Sequence, residues 1–578
     1  MGSTRPTRAI KRQPGLFEPP ADARQAAPPA GSSPASAARE PESPEAEPEQ
    51  PPAGRRRTGK APRPEDAQSM AARQREISVS EFFTKNRHLL GFDNPQKALL
   101  TAVKEAVDNS LDACEEAGIL PDLAIEIREL AENRYRIAVQ DNGPGIVRQQ
   151  IPKIFGKLLY GSKFHRLKQQ RGQQGIGISA AGMYAQLTTG RPVEIVSRTG
   201  RRRPAHLFHI TIDTKKNAPV ILKDEETEWA PAHGTRVEME LEAIYKKGRR
   251  SVDDYVEQTA LANPHIEIAY TPPKDEPRRF ARVSKQLPKP SSEIKPHPHG
   301  VELGVLLRLV KDTEARNLRG MLSSEFSRVS PAVATEICRV AGLNPDARPS
   351  RLSGAQVELL FQAIPKVRIL APPTACLSPI GEELLGRGLE QRMHPDFATA
   401  VTRPPAVYRG NPFQVEVGLA YGGGLPAEEP VELYRYANRV PLQYQQSACA
   451  ITKSAVSVDW RKYGLQQSRG ALPTSPMILF VHIASVWVPF TSESKEAVAS
   501  YPEILREVRL GLMEVGRRLG GFLRRRRREA DEHKKRSYIE KYIPHIGDAL
   551  QNILGLSDAR RERTVEHLKQ ILERSRRV

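Results

Sequence analysis

Cysteine is scarce in this chain, with 4 among 578 residues. Cys114, Cys338, Cys376 and Cys449 lie far apart and form no CxxC pair. That argues against a disulfide framework and a thiolate zinc site, and reads as reduced thiols in a cytosolic protein. No apolar run reaches the roughly 18 residues that a membrane span needs. The basic N-terminus has no apolar segment behind it, so no secretory leader is expected. Acids are outnumbered, 68 Asp plus Glu against 88 Lys plus Arg, for a formal charge of +20. An excess this large favours polyanionic partners, nucleic acid first among them, although an arginine-rich codon bias would also produce it.

What is present divides into segments, and the length alone predicts several domains. Residues 1 to about 75 are rich in Pro, Ala, Glu, Ser and Arg. They offer no apolar face to bury and are expected to be disordered. From "ISVSEFFTKNRHLLGF" to about residue 295, helical and strand-like stretches alternate. "AIEIREL" and "YRIAVQD", separated by "AEN", predict a hairpin. "PVEIVSR", "HLFHITID" and "TRVEMELE" read as further strands. The Pro-rich "LPKPSSEIKPHPHG" marks a boundary. Residues 300–372 then read as short helices, strands return after about 400, and residues 496–578 read as helical almost throughout.

The stretch "KEAVDNSLDA" carries the first chemical signal. Val103, Val107 and Leu111, with Ala106 and Cys114, recur at helical spacing and point to a core. The opposite stripe carries Glu105, Asn109 and Asp112, with Asp108 beside it. Asp108 and Asp112 read equally well as catalytic neighbours or as surface charge. Downstream, Asp141 ends a predicted strand and leads into Gly143 and Gly145, whose lack of a side chain permits close approach of a ligand. Gly172, Gly175 and Gly177 then open an apolar helix, a cradle of backbone N–H groups suited to an anion. Thr235 precedes another strand.

The order E-x-x-x-N, D-x-G-x-G, G-x-x-G-x-G and GT resembles the Bergerat-type ATPases. These include gyrase-type ATPase subunits, MutL-type repair proteins, ninety-kilodalton heat-shock chaperones and sensor histidine kinases. Longer strings, "ISVSEFFTKNRHLLGFDNPQKALLTAVKEAVDNSLDACEEAGILP", "LLYGSKFHRLKQQRGQQGIGISAAGMYAQLTTG" and "VHIASVWVPFTSESKEAVA", resemble the B subunits of topoisomerase VI, a type IIB DNA topoisomerase family. The resemblance runs from about residue 76 to 515. It implies a multidomain α+β protein: a disordered arm (1–75), a Bergerat α/β-sandwich ATPase domain with an N-terminal strap (76–295), a helix-two-turn-helix domain (296–372), an α/β transducer (373–510) and a C-terminal helical stalk that docks the A subunit (511–578).

The resemblance also implies roles for residues, with ATP and Mg²⁺ as cofactors. Glu105 would be the general base and Asn109 a magnesium ligand, while Asp141 would read the adenine amine. Gly145, Ser162, Lys163, Arg171, Gly172, Gln173, Gln174, Gly175, Ile176, Gly177, Ile178 and Thr235 would complete the nucleotide site, and Lys495 would reach the γ-phosphate from the transducer. Lys246, Lys247, Arg249 and Arg250 in "YKKGRR", and Trp460, Arg461, Lys462 and Tyr463 in "WRKYGL", resemble loops that touch DNA. No strand-borne DxD cluster or motif for a catalytic tyrosine is evident, so cleavage would belong to an A subunit in an A2B2 complex. Two B subunits would close on ATP binding, with residues 76–90 strapping across the partner. The expected location is the cytoplasm, at the nucleoid. A MutL-like clamp and a non-catalytic DNA-binding scaffold are the competing readings. A sensor kinase is disfavoured because no phosphoacceptor-histidine helix precedes the nucleotide domain.

Overall fold

A computed structural model describes residues 67–162, 166–172 and 175–574. Residues 1–66, together with Lys163, Gln173 and Gln174 of the expected nucleotide site, lie outside the described residues. A short helix, Ala67–Ala72, falls inside the segment whose composition predicts disorder. From Arg75 onward the chain forms one compact unit.

Eight strands build the first sheet: β1 (Asp122–Ala131), β2 (Arg134–Asp141), β3 (Val193–Arg198), β4 (Ala205–Asp213), β5 (Ala218–Thr227), β6 (Gly234–Glu242), β7 (Glu267–Thr271) and β8 (Arg278–Phe280). Their spatial order is β5-β4-β3-β6-β2-β1-β7-β8. β1 and β2 form the expected antiparallel hairpin, which sets Leu123 opposite Asp141. β5 escapes a reading by alternation because "APVILKDEET" is an edge strand, exposed along most of its length.

Three helices cover one face of this sheet, and local chemistry starts the first of them. Asn94 caps the Pro95–Glu116 helix by accepting the Lys97 N–H at 2.8 Å, and Pro95 occupies the first turn where its missing N–H costs nothing. Leu99, Val103, Val107 and Leu111 are fully buried against Ile125, Ile137 and Val139 of the sheet. The Gly177–Thr189 and Val252–Ala262 helices complete the layer, with Tyr184 and Tyr255 in the same core. The Val79–Lys85 helix packs Val79 and Phe83 against Leu158, Met183 and Ile212 of its own chain, and the Ser80 hydroxyl donates to the Thr214 carbonyl at 2.8 Å.

Residues 303–363 hold four helices, Leu303–Asp312, Leu318–Glu325, Pro331–Ala341 and Gly354–Ala363. They share a separate core that includes Leu306, Met321, Leu322, Ile337 and Leu360. Three of them carry side-chain N-caps, from Asn317, Ser330 and Ser353.

A second sheet contains β9 (Phe397–Thr402), β10 (Ala406–Tyr408), β11 (Asn411–Tyr421), β12 (Glu432–Ala437), β13 (Val440–Pro441) and β14 (Met477–Ser485). β14 lies between β11 and β12 and is buried at every position, so it reads as a continuous apolar run. The Pro502–Leu554 helix lays Ile504, Val508, Leu512, Val515 and Leu519 on this sheet. Beyond Leu523 the Arg524–Arg528 run is exposed, whereas Ile543 and Gly547 are buried where the following Asp558–Arg574 helix packs back, with Val565 against Gly547. The two sheet units meet where Leu261 and Ala262 pack with Leu385, Leu389, Tyr436 and Phe480. Among the described residues no helix is long and apolar enough to cross a membrane.

Candidate active site

A cavity of about 620 Å³ opens where the Pro95–Glu116 helix, the end of β2 and the start of the Gly177–Thr189 helix converge. Glu105, Asn109, Asp141, Gly145, Ser162, Gly172, Gly175, Ile176, Gly177, Ile178, Thr235 and Lys495 all line it. Residues far apart in sequence are therefore brought to one space, in part by the antiparallel β2–β6 register, which sets Asp141 opposite Thr235 on β6.

Asp141 is fixed as an acceptor at the cavity floor. One carboxylate oxygen receives the Gly143 and Thr235 N–H groups at 2.9 and 3.1 Å, and the other receives the Ser110 hydroxyl at 2.9 Å. Burial raises its pKa, and these donors pull the other way. Two glycines keep the turn closed. A Cβ at Gly145 (φ +71°) would meet the Arg198 carbonyl oxygen at 2.1 Å, and one at Gly234 (φ +134°) would meet the Asp141 carbonyl oxygen at 2.1 Å.

Glu105 and Asn109 stand one helical turn apart on the cavity wall, and the Asn109 side is open to it. A Cβ on Gly177 would fall 1.7 Å from Glu105 Oε2, so glycine is required there for the carboxylate to occupy its place. A Cβ on Gly172 would lie 3.9 Å from Asn109 Oδ1. Behind Glu105 is a buried ionic group that periodicity did not single out. Lys104 Nζ lies 3.5 Å from Glu105 and 3.6 Å from Asp108. Burial opposes the Lys104 charge, but Glu105 and Asp108 outweigh it and raise its pKa. The Asp108 carboxyl is pushed up to about 6 by burial, against the pull of Lys104, and accepts the Tyr255 hydroxyl at 3.3 Å. Asp108 is thus neither surface charge nor a cavity-lining group.

Two expectations need correction. Arg171 does not present its side chain to this cavity. Its guanidinium is buried against Asp112 at 2.9 Å, Glu115 at 2.7 and 2.8 Å and Asn263 at 2.6 Å. Asp112 is likewise an internal partner. Burial raises the Glu115 carboxyl's pKa, but Arg171 and the His265 hydrogen bond overcome this and hold it well below the usual carboxylate range. A glycine-rich loop predicts backbone contacts, and its arginine is spent on anchoring the loop to the helix.

Trp460 is the second correction. It is 0% exposed in the core of the second sheet and its indole N–H donates to the Ala455 carbonyl at 2.9 Å, so it cannot reach DNA. Tyr463 packs on Gly516 of the long helix, where an added Cβ would meet its ring at 2.5 Å. The two aromatics anchor a short turn that leaves Arg461 and Lys462 exposed. Lys246, Lys247, Arg249 and Arg250 are all exposed. Lys247 pairs with Asp275 at 2.6 Å, and Arg249 with Glu432 at 2.7 Å. Exposed pairs of this kind are worth little and yield readily to a competing anion.

Lys495 enters the cavity from the second sheet's side, in a loop after β14. It adopts φ +54° and its ammonium donates to the Arg171 carbonyl at 3.5 Å. Burial lowers its pKa, although Glu105 pulls it back up. A poorly solvated cation thus shares the cavity with the Glu105 carboxylate.

Comparison with known proteins gives two family matches. Residues 94–243 match the family described as Histidine kinase-, DNA gyrase B-, and HSP90-like ATPase, and residues 372–535 match Topoisomerase VI B subunit, transducer. The chain is 49% identical over 489 residues to the type 2 DNA topoisomerase 6 B subunit of Methanosarcina acetivorans, covering 84% of this chain and 79% of that one. It is 50% identical to the protein of the same name from Methanococcoides burtonii, with the same coverage. It is 39% identical to that of Thermococcus gammatolerans, over 83% of this chain and 93% of that one.

Proposed function

The chain belongs to the family of type 2 DNA topoisomerase 6 B subunits, and from that premise we propose that its cavity binds ATP and uses Glu105 to drive hydrolysis. The chain is the ATPase subunit of a type II DNA topoisomerase, with a gyrase B-like ATPase domain joined to a transducer. The observation that carries the site assignment is the pairing of Glu105 with Gly177. A carboxylate occupies space that any side chain at position 177 would take, beside an open carboxamide one turn away.

The residues fit a magnesium-bound triphosphate. Asn109 supplies a neutral hard oxygen facing the cavity, and among the described residues no group of three or more His, Cys, Asp or Glu forms a dedicated metal cage. That suits Mg²⁺, which takes few protein ligands and leans on phosphates and water; when bound it would neutralise charge developing on the phosphates. Asp141 would accept a hydrogen bond from the adenine amine. Gly172, Gly175 and the start of the Gly177–Thr189 helix would offer backbone N–H groups to the phosphates. Glu105 would orient a water and take its proton as the water attacks the terminal phosphorus, whose bond to the bridging oxygen breaks so that the diphosphate leaves with that oxygen.

Lys495 would touch the terminal phosphate and release it on product loss, which lets the second-sheet domain move. A nucleotide shifts such an equilibrium only through contacts that differ between states, and this lysine would make one. The segments divide the remaining work: the ATPase unit (76–295), the helical domain (296–372), the transducer (373–510) and a C-terminal stalk (511–578) that docks the DNA-cleaving A subunit. Tyr538, Ile539, Tyr542 and Ile546 form an exposed apolar stripe on that stalk, suited to helix docking. Two copies would close on ATP, the strap of residues 76–90 exchanging its own-chain site for the partner's. The exposed cations of residues 246–250 and Arg461 and Lys462 would hold duplex phosphates without reading sequence. The protein would act in the cytoplasm, at the nucleoid.

The test is co-purification with the A subunit followed by decatenation. The pair should unlink DNA circles only with ATP, and Lys495→Ala should hydrolyse ATP more slowly and fail to unlink. Unlinking without nucleotide, or normal unlinking by Lys495→Ala, would contradict the coupling.

A further inference from the structure

Lys97 occupies an unexpected place. It is the third residue of the Pro95–Glu116 helix, at the positive end of the helix dipole, where a cation is disfavoured. Yet it is largely buried, and its ammonium is 2.8 Å from Asp93 and 2.6 Å from Glu496. It also sits 5.5 Å from the centre of the Tyr444 ring. Burial opposes its charge, but the hydrogen bonds it donates to Asp93 and Glu496 overcome this and raise its pKa.

Glu496 follows Lys495 directly and is itself buried. The loop running from the end of β14 to this pair is closed on itself by local hydrogen bonds: the Thr491 N–H and hydroxyl donate to the Ala497 carbonyl at 2.9 and 3.3 Å, the Lys495 N–H donates to the Ser492 carbonyl at 3.1 Å, and the Ser492 and Ser494 hydroxyls lie 3.0 Å apart. Lys495 holds a left-handed backbone, which a side-chain-bearing residue keeps only where its surroundings fix it. Its neighbour Glu496 pairs with the Lys97 ammonium, a contact that reaches across to the Pro95–Glu116 helix. The two elements also approach closely nearby. A Cβ at Gly91 (φ +83°) would meet Thr101 at 3.3 Å, Lys97 at 3.6 Å and Ser494 at 3.7 Å.

We propose that Lys97 is a positioning residue: through Glu496 it ties the loop that carries Lys495 to the helix that carries Glu105, and so fixes the reach of Lys495 into the nucleotide cavity. This rests on the reading of Lys495 as the phosphate contact. Glu496 is the strong partner because it is inside, whereas Asp93 is partly exposed and completes the charge balance. Lys97 also lines the cavity, so a direct nucleotide contact is the rival role, and the two roles differ in what they change.

The experiment compares Lys97→Gln, Lys97→Arg, Glu496→Gln and Lys495→Ala in the full chain. Amide hydrogen exchange of residues 492–498 is measured without nucleotide, and phosphate release is measured against ATP concentration. Lys97→Gln and Glu496→Gln should each speed exchange in that loop about tenfold. Each should lower kcat about tenfold with KM within about twofold, as expected for a misplaced group. Lys97→Arg, which keeps the charge, should restore both. Unchanged exchange in Lys97→Gln overturns the tether, and raised KM with intact kcat assigns Lys97 to the nucleotide instead. Loss of turnover in Lys495→Ala but not in Lys97→Gln overturns the positioning role. Faster loop exchange in Lys97→Gln together with wild-type turnover in Lys495→Ala upholds the tether and removes Lys495 from the chemistry.

Discussion

Glu105 and Asp112 stand two turns apart on one helix and meet opposite surroundings. Around Glu105 the fold clears space: Gly177 has no side chain, Asn109 is open, and the carboxylate faces a cavity. Around Asp112 the fold fills space: Arg171 is buried against it and against Glu115, with Asn263 completing the guanidinium's partners. A carboxylate with glycine cut away beside it is arranged for a ligand. A carboxylate with a buried guanidinium beside it holds the chain together. The same residue type at helical spacing serves both ends, and the neighbours decide which.

The largest expected effect breaks the filled half of the helix. Arg171→Ala would remove the buried guanidinium that Asp112 and Glu115 share and should destabilise the fold by about 3–5 kcal/mol, read as a lower urea midpoint. A midpoint within error of wild type would make that cluster incidental. Next, Gly177→Ala places a methyl where Glu105 Oε2 lies and should cut phosphate release about 100-fold by displacing the carboxylate, while unfolding changes little. If stability falls and turnover per folded molecule does not, the glycine serves packing.

A third test concerns Asp108, between the two halves. Its carboxyl is held near 6 in the fold, above its unfolded value, so its contribution to stability is complete below about pH 4 and lost as pH rises through 6. Wild type should therefore lose on the order of 2 kcal/mol relative to Asp108→Asn across that window. Parallel profiles would mean that Lys104 keeps Asp108 ionised throughout. The smallest effect is on the surface. Arg461→Ala should shift stability by less than about 0.5 kcal/mol but reduce the salt dependence of DNA binding by about one phosphate contact.

Legibility in the sequence followed the same division. The hairpin and the buried helix face are readable because alternation and helical periodicity encode sterics that act locally, whereas the nucleotide-site residues rest on motif order and family resemblance. Lys97, Lys104 and Glu496 are not readable, because their meaning comes from partners that only the tertiary fold supplies. That the side chains of Arg171 and Trp460 turn inward is unreadable for a related reason. Each lies in a string rich in functional residues, and a string does not say which side chains turn inward. The β5 edge strand was missed because, exposed along most of its length, it has no alternation to read.

The most direct measurement separates ATP binding from hydrolysis in Glu105→Ala. Nucleotide affinity should stay within a few fold of wild type while phosphate release falls roughly 10²- to 10⁴-fold. Hydrolysis at the wild-type rate, or loss of binding in place of loss of turnover, would contradict the assignment of Glu105 as the base.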